Sequence, residues 1–504
     1  MRAFAGRWGL ALVLAVGALA RAFPLAAAVE HYGDAPVRIE LAERWALSPH
    51  LWHGSLEAYQ FGPLHLSLLG WALHLWPDRD WSPKVLTVVF GLAGLWLLFR
   101  LARRAAGPEA AVVAGLGLAL SPLHIQASTS AASEAVFLAL LLAALELVFA
   151  DGPLSLAALF LGAAGLVRYD GWLYFGLLLC LLALEMRRGR RSLREVLLFA
   201  AMGAAPIASW LLLNRTWAHD ALAPIHYIDK DHLALARMGV QWFGPVVYRL
   251  YCLVYWPVAL LALCTPLLAL FALFGAARTL WARLPGWELA ALAWIPAAYF
   301  TARGAILADF RPMARFAMVS AALSLPFAWS ALELVRARFG VATSRALALA
   351  TAATMIATPA ALYAASRSSD PAIAEWARPL SPVSSVPEGI AQAARYLRAN
   401  AKPDDIVLLD GVWDYLDIPL AFLAGLPDHS WIRLSWTDDF EERLTRHTPT
   451  LAVVLYQGNL RSAPGAVSAT EDQDRFSFRG LEFCKLERYV YVTVYRRCEL
   501  SPGG

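Results

Sequence analysis

A succession of long apolar stretches runs through most of the chain, and this pattern constrains its fold more than any other feature. A helix that spans a membrane needs about 20 mostly apolar residues, and eleven stretches approach that length. They lie at about 8–28, 85–101, 108–124, 132–150, 153–167, 171–186, 195–213, 251–276, 287–302, 314–335 and 345–365. The pattern predicts a polytopic α-helical membrane protein with about eleven transmembrane helices. The first stretch is also compatible with a signal peptide, because Arg2 and Arg7 precede it.

The composition excludes several classes of protein. Of the 504 residues, 59% are hydrophobic and only 16% are charged, whereas soluble domains carry about 25% charged residues. The 20 tryptophans, 16 tyrosines and 23 phenylalanines supply ample apolar surface and exclude a disordered chain. A formal net charge of +4 is small for this length, and a nucleic-acid partner is therefore not expected.

The arginines of the short loops predict the orientation, since cytoplasmic loops carry an excess of Lys and Arg. With the N-terminus inside, the short inner segments hold the fifteen arginines Arg2, Arg7, Arg100, Arg103, Arg104, Arg187, Arg188, Arg190, Arg191, Arg194, Arg278, Arg283, Arg336, Arg338 and Arg345. Eleven spans then place the C-terminus outside. Three outer segments are long, at 29–84, 214–250 and 366–504, and loops of such length are usually functional.

The region 366–504 has a different character from the apolar region 1–365, and we interpret the two as separate domains. It begins with a Ser- and Pro-rich linker and continues with helical spacing at 390–400. Strand patterns follow at 406–410, 450–457 and 489–497, which predicts a C-terminal α/β domain outside the cytoplasm. Cys484 and Cys498 are either a disulfide, which that compartment permits, or two free thiols.

Ionisable residues gather at the outer ends of the predicted spans, where they are costly and usually mark a site. Asp34 follows the first span, Glu134 opens the fourth, and Arg168 and Asp170 lie between the fifth and sixth. The tenth span is preceded by Arg311 and Arg315, and the same outer loops contribute Glu40 and His124. These positions predict one site at the membrane–water boundary. A translocation path instead needs charges near span midpoints, where few are found.

The first outer segment contains two further predicted elements. Residues 35–46 have helical spacing, so Asp34 is also explained as an N-cap or first-turn carboxylate of that helix. The apolar piece 61–76 is predicted to lie flat at the outer interface. If it spanned the membrane instead, every later Arg-rich loop would face outward.

Four stretches, in order, resemble the C-type glycosyltransferases of the protein O-mannosyltransferase and aminoarabinose transferase superfamily. DAPVRIELAERW resembles the family's acidic segment after span one, although Ala35 replaces a frequent glutamate, and GPLHLSLLGWALHL resembles its Pro-Leu helix. SPLHIQASTSAASEAVFLALLLAAL resembles the segment with an acidic residue at the outer end of span four, and LGAAGLVRYDGWLYF resembles the Gly-rich span before a basic residue. The resemblance covers roughly residues 1–335.

The resemblance implies a membrane glycosyltransferase that moves a sugar from a polyprenyl-phosphate donor to a lipid, glycan or protein acceptor outside the cytoplasm. Asp34 is then the catalytic base, and Glu134 binds the acceptor, orients its hydroxyl or helps hold a metal. The resemblance implies a phosphate-binding role for Arg168, which is otherwise an interfacial arginine paired with Asp170. Physical chemistry agrees, since guanidinium groups bind phosphate by charge-assisted hydrogen bonds and carboxylates act as general bases.

Arg311 and Arg315 are further candidates for the donor phosphate, with interfacial anchoring as the alternative. Glu40 and His124 are candidate substrate-binding residues of the same cavity. No spacing matches a metal site, and a divalent cation is left open as a cofactor. No nucleotide-binding glycine loop is present.

Two other functions remain open from the sequence. A transporter or flippase of lipid-linked glycans would have an inverted repeat, which is not visible. A non-catalytic membrane scaffold would depend on a glycan-binding outer domain. The richness in Ala, Leu and Arg and the short loops favour a bacterial inner membrane, with the N-terminus cytoplasmic and the C-terminal domain in the periplasm or outside the cell.

Overall fold

A computed structural model describes residues 8–32, 34–49, 61–411, 416–434, 440–456, 458–463, 465–467 and 473–498. The chain divides into two compact units. The larger unit comprises Met1–Ala28 and Arg38–Ser384, and the smaller comprises Val29–Val37 and Ser385–Gly504. The sequence placed the division at residue 366, whereas the larger unit continues through Ser384 and residues 29–37 are grouped with the C-terminal residues.

The described part of the larger unit is built from helices. In chain order they are α1 (Gly9–Ala27), α2 (Ala35–Leu47), α3 (Pro63–Leu75), α4 (Ser82–Ala106), α5 (Pro108–Ala119), α6 (Pro122–Ser128), α7 (Ser133–Phe149), α8 (Leu154–Val167), α9 (Asp170–Arg187), α10 (Leu193–Trp217), α11 (Ala223–Phe243), α12 (Pro245–Leu263), α13 (Pro266–Trp281), α14 (Trp287–Ala302), α15 (Met318–Ser324), α16 (Ala328–Ser366) and α17 (Pro371–Ala377). A π-helical turn, Arg303–Leu307, follows α14, and a 3₁₀ turn, Ala314–Ala317, precedes α15.

The length and apolarity of these helices identify an integral membrane protein, as predicted. Among the described residues, six helical stretches are long and apolar enough to cross a membrane, and the pair α5–α6 makes a seventh if it counts as one bent span. Shorter apolar helices, α8 and α13, lie between them. The number of eleven spans therefore stays a prediction.

Two predicted spans are broken in the structure, and a proline follows each break. The prediction 108–124 becomes α5 and α6, which are bent by 64°. The prediction of one helix over 251–276 was wrong, because α12 ends at Leu263 and a second helix, α13, begins at Pro266. Proline lacks an N–H and its ring clashes with the preceding turn, and Thr265 adopts a positive φ of 67° between the two helices.

Helix α3 has only 13 residues. At 1.5 Å per residue it extends about 20 Å, which is shorter than the apolar core of a bilayer, about 30 Å. Its length is compatible with the predicted position at the outer interface, which stays a prediction.

Small residues allow close helix contacts in the larger unit, as is common between membrane helices. A Cβ on Gly17 of α1 would lie 2.3 Å from Leu95 Cδ1 on α4. A Cβ on Gly275 of α13 would lie 2.0 Å from the carbonyl oxygen of Phe327. A larger residue at either position would push the helices apart.

The smaller unit contains a mixed sheet of seven strands in the order β2-β1-β3-β7-β6-β5-β4. The strands are β1 (Val407–Leu409), β2 (Trp431–Arg433), β3 (Leu451–Leu455), β4 (Ala466–Val467), β5 (Arg475–Phe478), β6 (Leu481–Tyr489) and β7 (Val492–Arg497). The first three strands in the order are parallel and the remaining pairs are antiparallel.

Both faces of this sheet are covered, which explains the continuous apolar sequence of β3. On one face, α18 (Glu388–Asn400) and α19 (Asp417–Ala424) pack against β1 and β3. On the other face, Phe476, Phe483 and Tyr495 form a second core beside α20 (Phe440–Arg446). The predicted α/β character of the C-terminal region is confirmed. Cys484 and Cys498 form a disulfide, with their Cα atoms 5.2 Å apart.

Candidate functional site

The turn between α8 and α9 presents Arg168, and two glycines allow the turn to close. A Cβ on Gly171 would lie 2.6 Å from the backbone nitrogen of Gly165, so a larger residue could not be accommodated there. The Trp172 indole N–H donates to the Gly165 carbonyl oxygen over 3.1 Å. The local sequence GLVRYDGW thus determines the shape of the turn that carries Arg168.

Arg168 is held between two carboxylates. Its Nη1 donates to Glu134 Oε1 over 2.7 Å, and its Nη2 and Nε donate to Asp170 Oδ2 over 2.9 and 3.1 Å. The side chains of Arg168 and Glu134 are only 10% and 5% exposed, and that of Asp170 is 25% exposed. Glu134 lies in the first turn of α7, where the helix dipole favours a negative charge. The structure therefore brings together three residues that the sequence placed in one site.

A second basic group comes from α2 and α3. Arg38 donates from Nη1 to His65 Nδ1 over 3.3 Å, and its guanidinium lies 4.3 Å from the centre of the Phe61 ring. Both Arg38 and His65 are buried. The charge of Arg38 acts on Tyr169 of the Arg168 turn, and the charge of Arg168 acts on His65. Tyr169 completes the contact by donating to the Phe61 carbonyl oxygen over 3.4 Å.

Arg315 reaches the same region from the irregular segment between α14 and α15. Its guanidinium lies 5.5 Å from the centre of the Phe316 ring, and the guanidinium of Arg168 lies 5.2 Å from that centre. The segment includes the π-helical turn and Ala308, which has a positive φ of 55°. Such irregular backbone is concentrated at functional sites.

A histidine and an aspartate of helix α11 contact this irregular segment. The His232 ring packs at a tilt against Phe310 and Phe316, with its centre 4.4 and 5.7 Å from theirs. Arg303 bridges Asp229 of α11 and Asp309, at 3.0 and 3.2 Å. Burial, aided by the charges of neighbouring arginines, lowers the pKa of His232 to about 4, so its imidazole is neutral near pH 7.

The remaining predicted residues occupy separate positions. Asp34 is half-buried, belongs to the smaller unit and directly precedes α2, while Glu40 is half-buried on α2. Arg311 is half-buried and acts electrostatically on Tyr248, Tyr251 and Tyr255 of α12. The predicted base role of Asp34 and the predicted binding roles of Glu40 and Arg311 stay predictions.

His124 is fully buried and contacts an arginine of the first helix. Arg21 donates from Nη2 to His124 Nδ1 over 2.6 Å and from Nε to Ser128 Oγ over 2.8 Å. It also donates to the carbonyl oxygen of Ala119, where α5 ends, over 3.3 Å. Arg21 thereby joins α1 to both halves of the bent pair. The predicted substrate contact of His124 stays a prediction.

Sequence reasoning did not single out Arg38, His65, Arg303 or Phe316 as site residues. A signal for Arg38 was available, because it lies one helical turn after Asp34. Phe316 carried no signal, since aromatic residues are frequent throughout the apolar stretches. Among the described residues, no group of three or more His, Cys, Asp or Glu side chains could hold a metal ion.

This arrangement of side chains is suited to binding an anion. Three guanidinium groups, those of Arg38, Arg168 and Arg315, supply planar sets of N–H donors that match phosphate oxygens. Glu134 and Asp170 orient Arg168 and offset part of its charge. Aromatic rings lie beside these arginines, and a less polar environment strengthens electrostatic interactions.

The comparisons with known proteins extend the family resemblance. Residues 62–212 match the family model of the dolichyl-phosphate-mannose-protein mannosyltransferases. These residues include α3, the Glu134 position and the Arg168 turn. No curated protein sequence matched the chain.

The fold is similar to solved membrane enzymes along most of the chain. ArnT from Cupriavidus metallidurans in the apo state is 16% identical over 97% of this chain and 96% of its own, with a TM-score of 0.58. The same enzyme bound to undecaprenyl phosphate gives a TM-score of 0.57 at 16% identity, over 98% of each chain. The oligosaccharyltransferase AglB from Archaeoglobus fulgidus, in complex with an inhibitory peptide and a dolichol-phosphate, is 14% identical. It is matched over 89% of this chain and 69% of its own, with a TM-score of 0.54. The predicted resemblance to the C-type glycosyltransferases is thereby confirmed for the fold.

Proposed function

We propose that this chain, a membrane protein with the C-type glycosyltransferase fold, transfers a sugar from a polyprenyl-phosphate-linked donor to a lipid, glycan or protein acceptor. The observation that carries the proposal is the convergence of Arg168 and Arg315 on one ring, beside Glu134 and Asp170. A phosphate attached to a membrane lipid sits at the edge of the bilayer, and paired guanidinium groups are suited to bind it there. Two structural relatives are complexes with such lipids: ArnT with undecaprenyl phosphate and AglB with a dolichol-phosphate.

The proposed reaction exchanges one bond at the sugar. The acceptor hydroxyl loses its proton to a carboxylate, and its oxygen forms a bond to the anomeric carbon. The bond between that carbon and the phosphate oxygen breaks, and the polyprenyl phosphate leaves with the bonding electrons. Arg168 and Arg315 stabilise the charge that develops on the leaving phosphate.

We assign the general base to Asp34. It matches the acidic position of the family, and it precedes Arg38 by four residues. A positioned base of this kind typically contributes about 10²–10⁴-fold to the rate. Glu134 is assigned to orienting Arg168 and the acceptor hydroxyl, and a divalent cation is not required by this scheme.

The proposed location is a bacterial inner membrane, with the N-terminus in the cytoplasm and residues 385–504 in the periplasm. The loop arginines support this orientation. The disulfide between Cys484 and Cys498 also supports it, because structural disulfides persist in oxidising compartments. The eleven-span topology belongs to the same proposal.

The test is transfer of a radiolabelled sugar by the purified full chain, from a panel of polyprenyl-phosphate sugars. Asp34→Asn is expected to reduce the rate by at least about 100-fold. Asp404→Asn, which changes an exposed aspartate of the smaller unit, is the control and is expected to retain wild-type activity. Substantial activity in Asp34→Asn would assign the base elsewhere. If the protein in vesicles moved the intact lipid-linked sugar across the membrane and transferred no sugar, the alternative function of a transporter or flippase would be favoured.

A further inference from the structure

Phe316 is shared by two positively charged side chains from distant parts of the sequence. Arg168 comes from the turn between α8 and α9, and Arg315 comes from the 3₁₀ turn before α15. Their guanidinium carbons lie 5.2 and 5.5 Å from the centre of the Phe316 ring. Both distances are within the range of cation–π attraction, which extends to about 6 Å.

Two guanidinium groups in a half-buried setting repel each other, and the charge of Arg315 acts on Arg168. An aromatic ring reduces that cost because its electron-rich face attracts a cation. An aliphatic side chain of similar size fills the same space without this attraction. The ring therefore does more than occupy volume between the two arginines.

The position of the ring is fixed by three neighbouring rings. Phe316 contacts Phe310 at 5.6 Å, Phe300 at 6.1 Å and His232 at 5.7 Å between ring centres. These neighbours belong to α11, α14 and the irregular segment. The packing restrains the ring, and the ring in turn restrains the two guanidinium groups.

We propose that Phe316 is a positioning residue that holds Arg168 and Arg315 as a preformed pair for one phosphate group. The proposal rests on the function proposed above, since the phosphate is that of the lipid-linked donor. Preorganisation matters here because two long, flexible side chains otherwise lose conformational freedom when the anion binds. Removing the ring should weaken phosphate binding while the fold persists.

The test compares two substitutions at this position with one elsewhere in the bundle. Phe316→Leu removes the π face, and Phe316→Tyr retains it. Phe199→Leu is the matched control, because Phe199 is fully buried and stacks on Phe175 at 5.9 Å. The measurement is the thermal shift of each purified full-length protein with increasing undecaprenyl phosphate, and with undecaprenol as the uncharged probe.

The wild type, Phe316→Tyr and Phe199→Leu are expected to be stabilised by undecaprenyl phosphate with similar apparent affinities, and less by undecaprenol. Phe316→Leu is expected to bind the phosphate about tenfold more weakly with unchanged response to undecaprenol. Equal affinities for Phe316→Leu and Phe316→Tyr would overturn the positioning role alone. If undecaprenyl phosphate and undecaprenol stabilise the wild type equally, the phosphate site itself fails, and the proposed function and this inference fail together.

Discussion

Arg168 Nη1 lies 2.7 Å from Glu134 Oε1, in a contact that ties the turn between α8 and α9 to the first turn of α7. The two side chains are only 10% and 5% exposed. Asp170 occupies the other edge of the guanidinium group. An arginine held by two carboxylates has little conformational freedom, and such preorganisation would favour the anion binding proposed above.

Glu134→Gln is expected to lower the thermal stability of the protein, because it leaves a buried guanidinium group with one carboxylate instead of two. The expected loss is about 1–3 kcal/mol. Glu288→Gln, which changes the first-turn glutamate of α14, is the control for the helix dipole and should cost about 0.3–1 kcal/mol. Thermal unfolding of both variants in the same detergent checks this prediction, and equal losses would contradict it.

His124→Phe is expected to destabilise the bundle by about 1–3 kcal/mol, because it leaves a buried N–H of Arg21 without its acceptor. His124→Asn, whose amide oxygen can still accept, should recover part of that stability. If His124 acts only through Arg21, the KM for the donor should stay within about twofold in the variants that fold. A large increase in KM with unchanged stability would instead support the substrate contact predicted from the sequence.

Asp410 of the smaller unit is expected to make stability fall as the pH rises. Burial raises its pKa to about 7, even though its carboxylate oxygens accept backbone N–H groups of Leu455 and Leu460 at 3.0 and 2.8 Å. Because the folded pKa lies above the unfolded value of about 3.9, the native state binds the proton more tightly. The contribution is complete below pH 4 and is lost as the pH rises through about 7.

The pH dependence should amount to about 1.4 kcal/mol per pH unit within that window. The measurement is the thermal midpoint of the full chain between pH 4.5 and 7.5. Asp410→Asn should flatten the profile, whereas Asp404→Asn, at an exposed position, should leave it unchanged. Parallel profiles for the wild type and Asp410→Asn would exclude Asp410 as the cause.

The disulfide between Cys484 and Cys498 connects strand β6 to the residue that follows its partner strand β7. Closing a loop of this size is expected to stabilise the smaller unit by about 3 kcal/mol relative to the reduced chain. The paired substitution Cys484→Ser with Cys498→Ser should therefore lower the thermal midpoint. Adding a reducing agent should lower the thermal midpoint of the wild type and leave that of the double variant unchanged. An unchanged midpoint of the wild type after reduction would contradict the prediction.

Local sequence patterns predicted the parts of the site that depend on local structure. Glu134 stands at a helix start, and Arg168 and Asp170 stand in a glycine-flanked turn, so their position at helix ends was readable from spacing. Arg38 and Phe316 were not predicted as site residues, because their roles depend on contacts between segments that are far apart in sequence. The same limit applies to the packing of His124 against Arg21.

The sequence predicted the fold class, but it did not predict where a helix is interrupted or where the two units divide. Hydrophobicity identified the helical membrane region. A buried apolar run identified β3, and the alternating pattern at 489–497 identified β7, although β6 ends at Tyr489 and β7 begins only at Val492. The interruption at Thr265 was missed because the apolar composition continues through it, although Pro266 marks a helix start. The division at Ser384 was missed because the Ser- and Pro-rich stretch reads as a linker, whereas part of it forms α17.

The most direct test of the central claim is a donor comparison with the purified full-length protein. Equal amounts of one radiolabelled sugar are supplied as a polyprenyl-phosphate sugar, a polyprenyl-diphosphate sugar and a nucleotide sugar, together with a membrane extract as the source of acceptors. We expect transfer from the polyprenyl-phosphate donor and a marked loss of it in Arg168→Lys, which cannot form the bidentate contacts. Transfer from the nucleotide sugar, or equal transfer by the wild type and Arg168→Lys, would contradict the account.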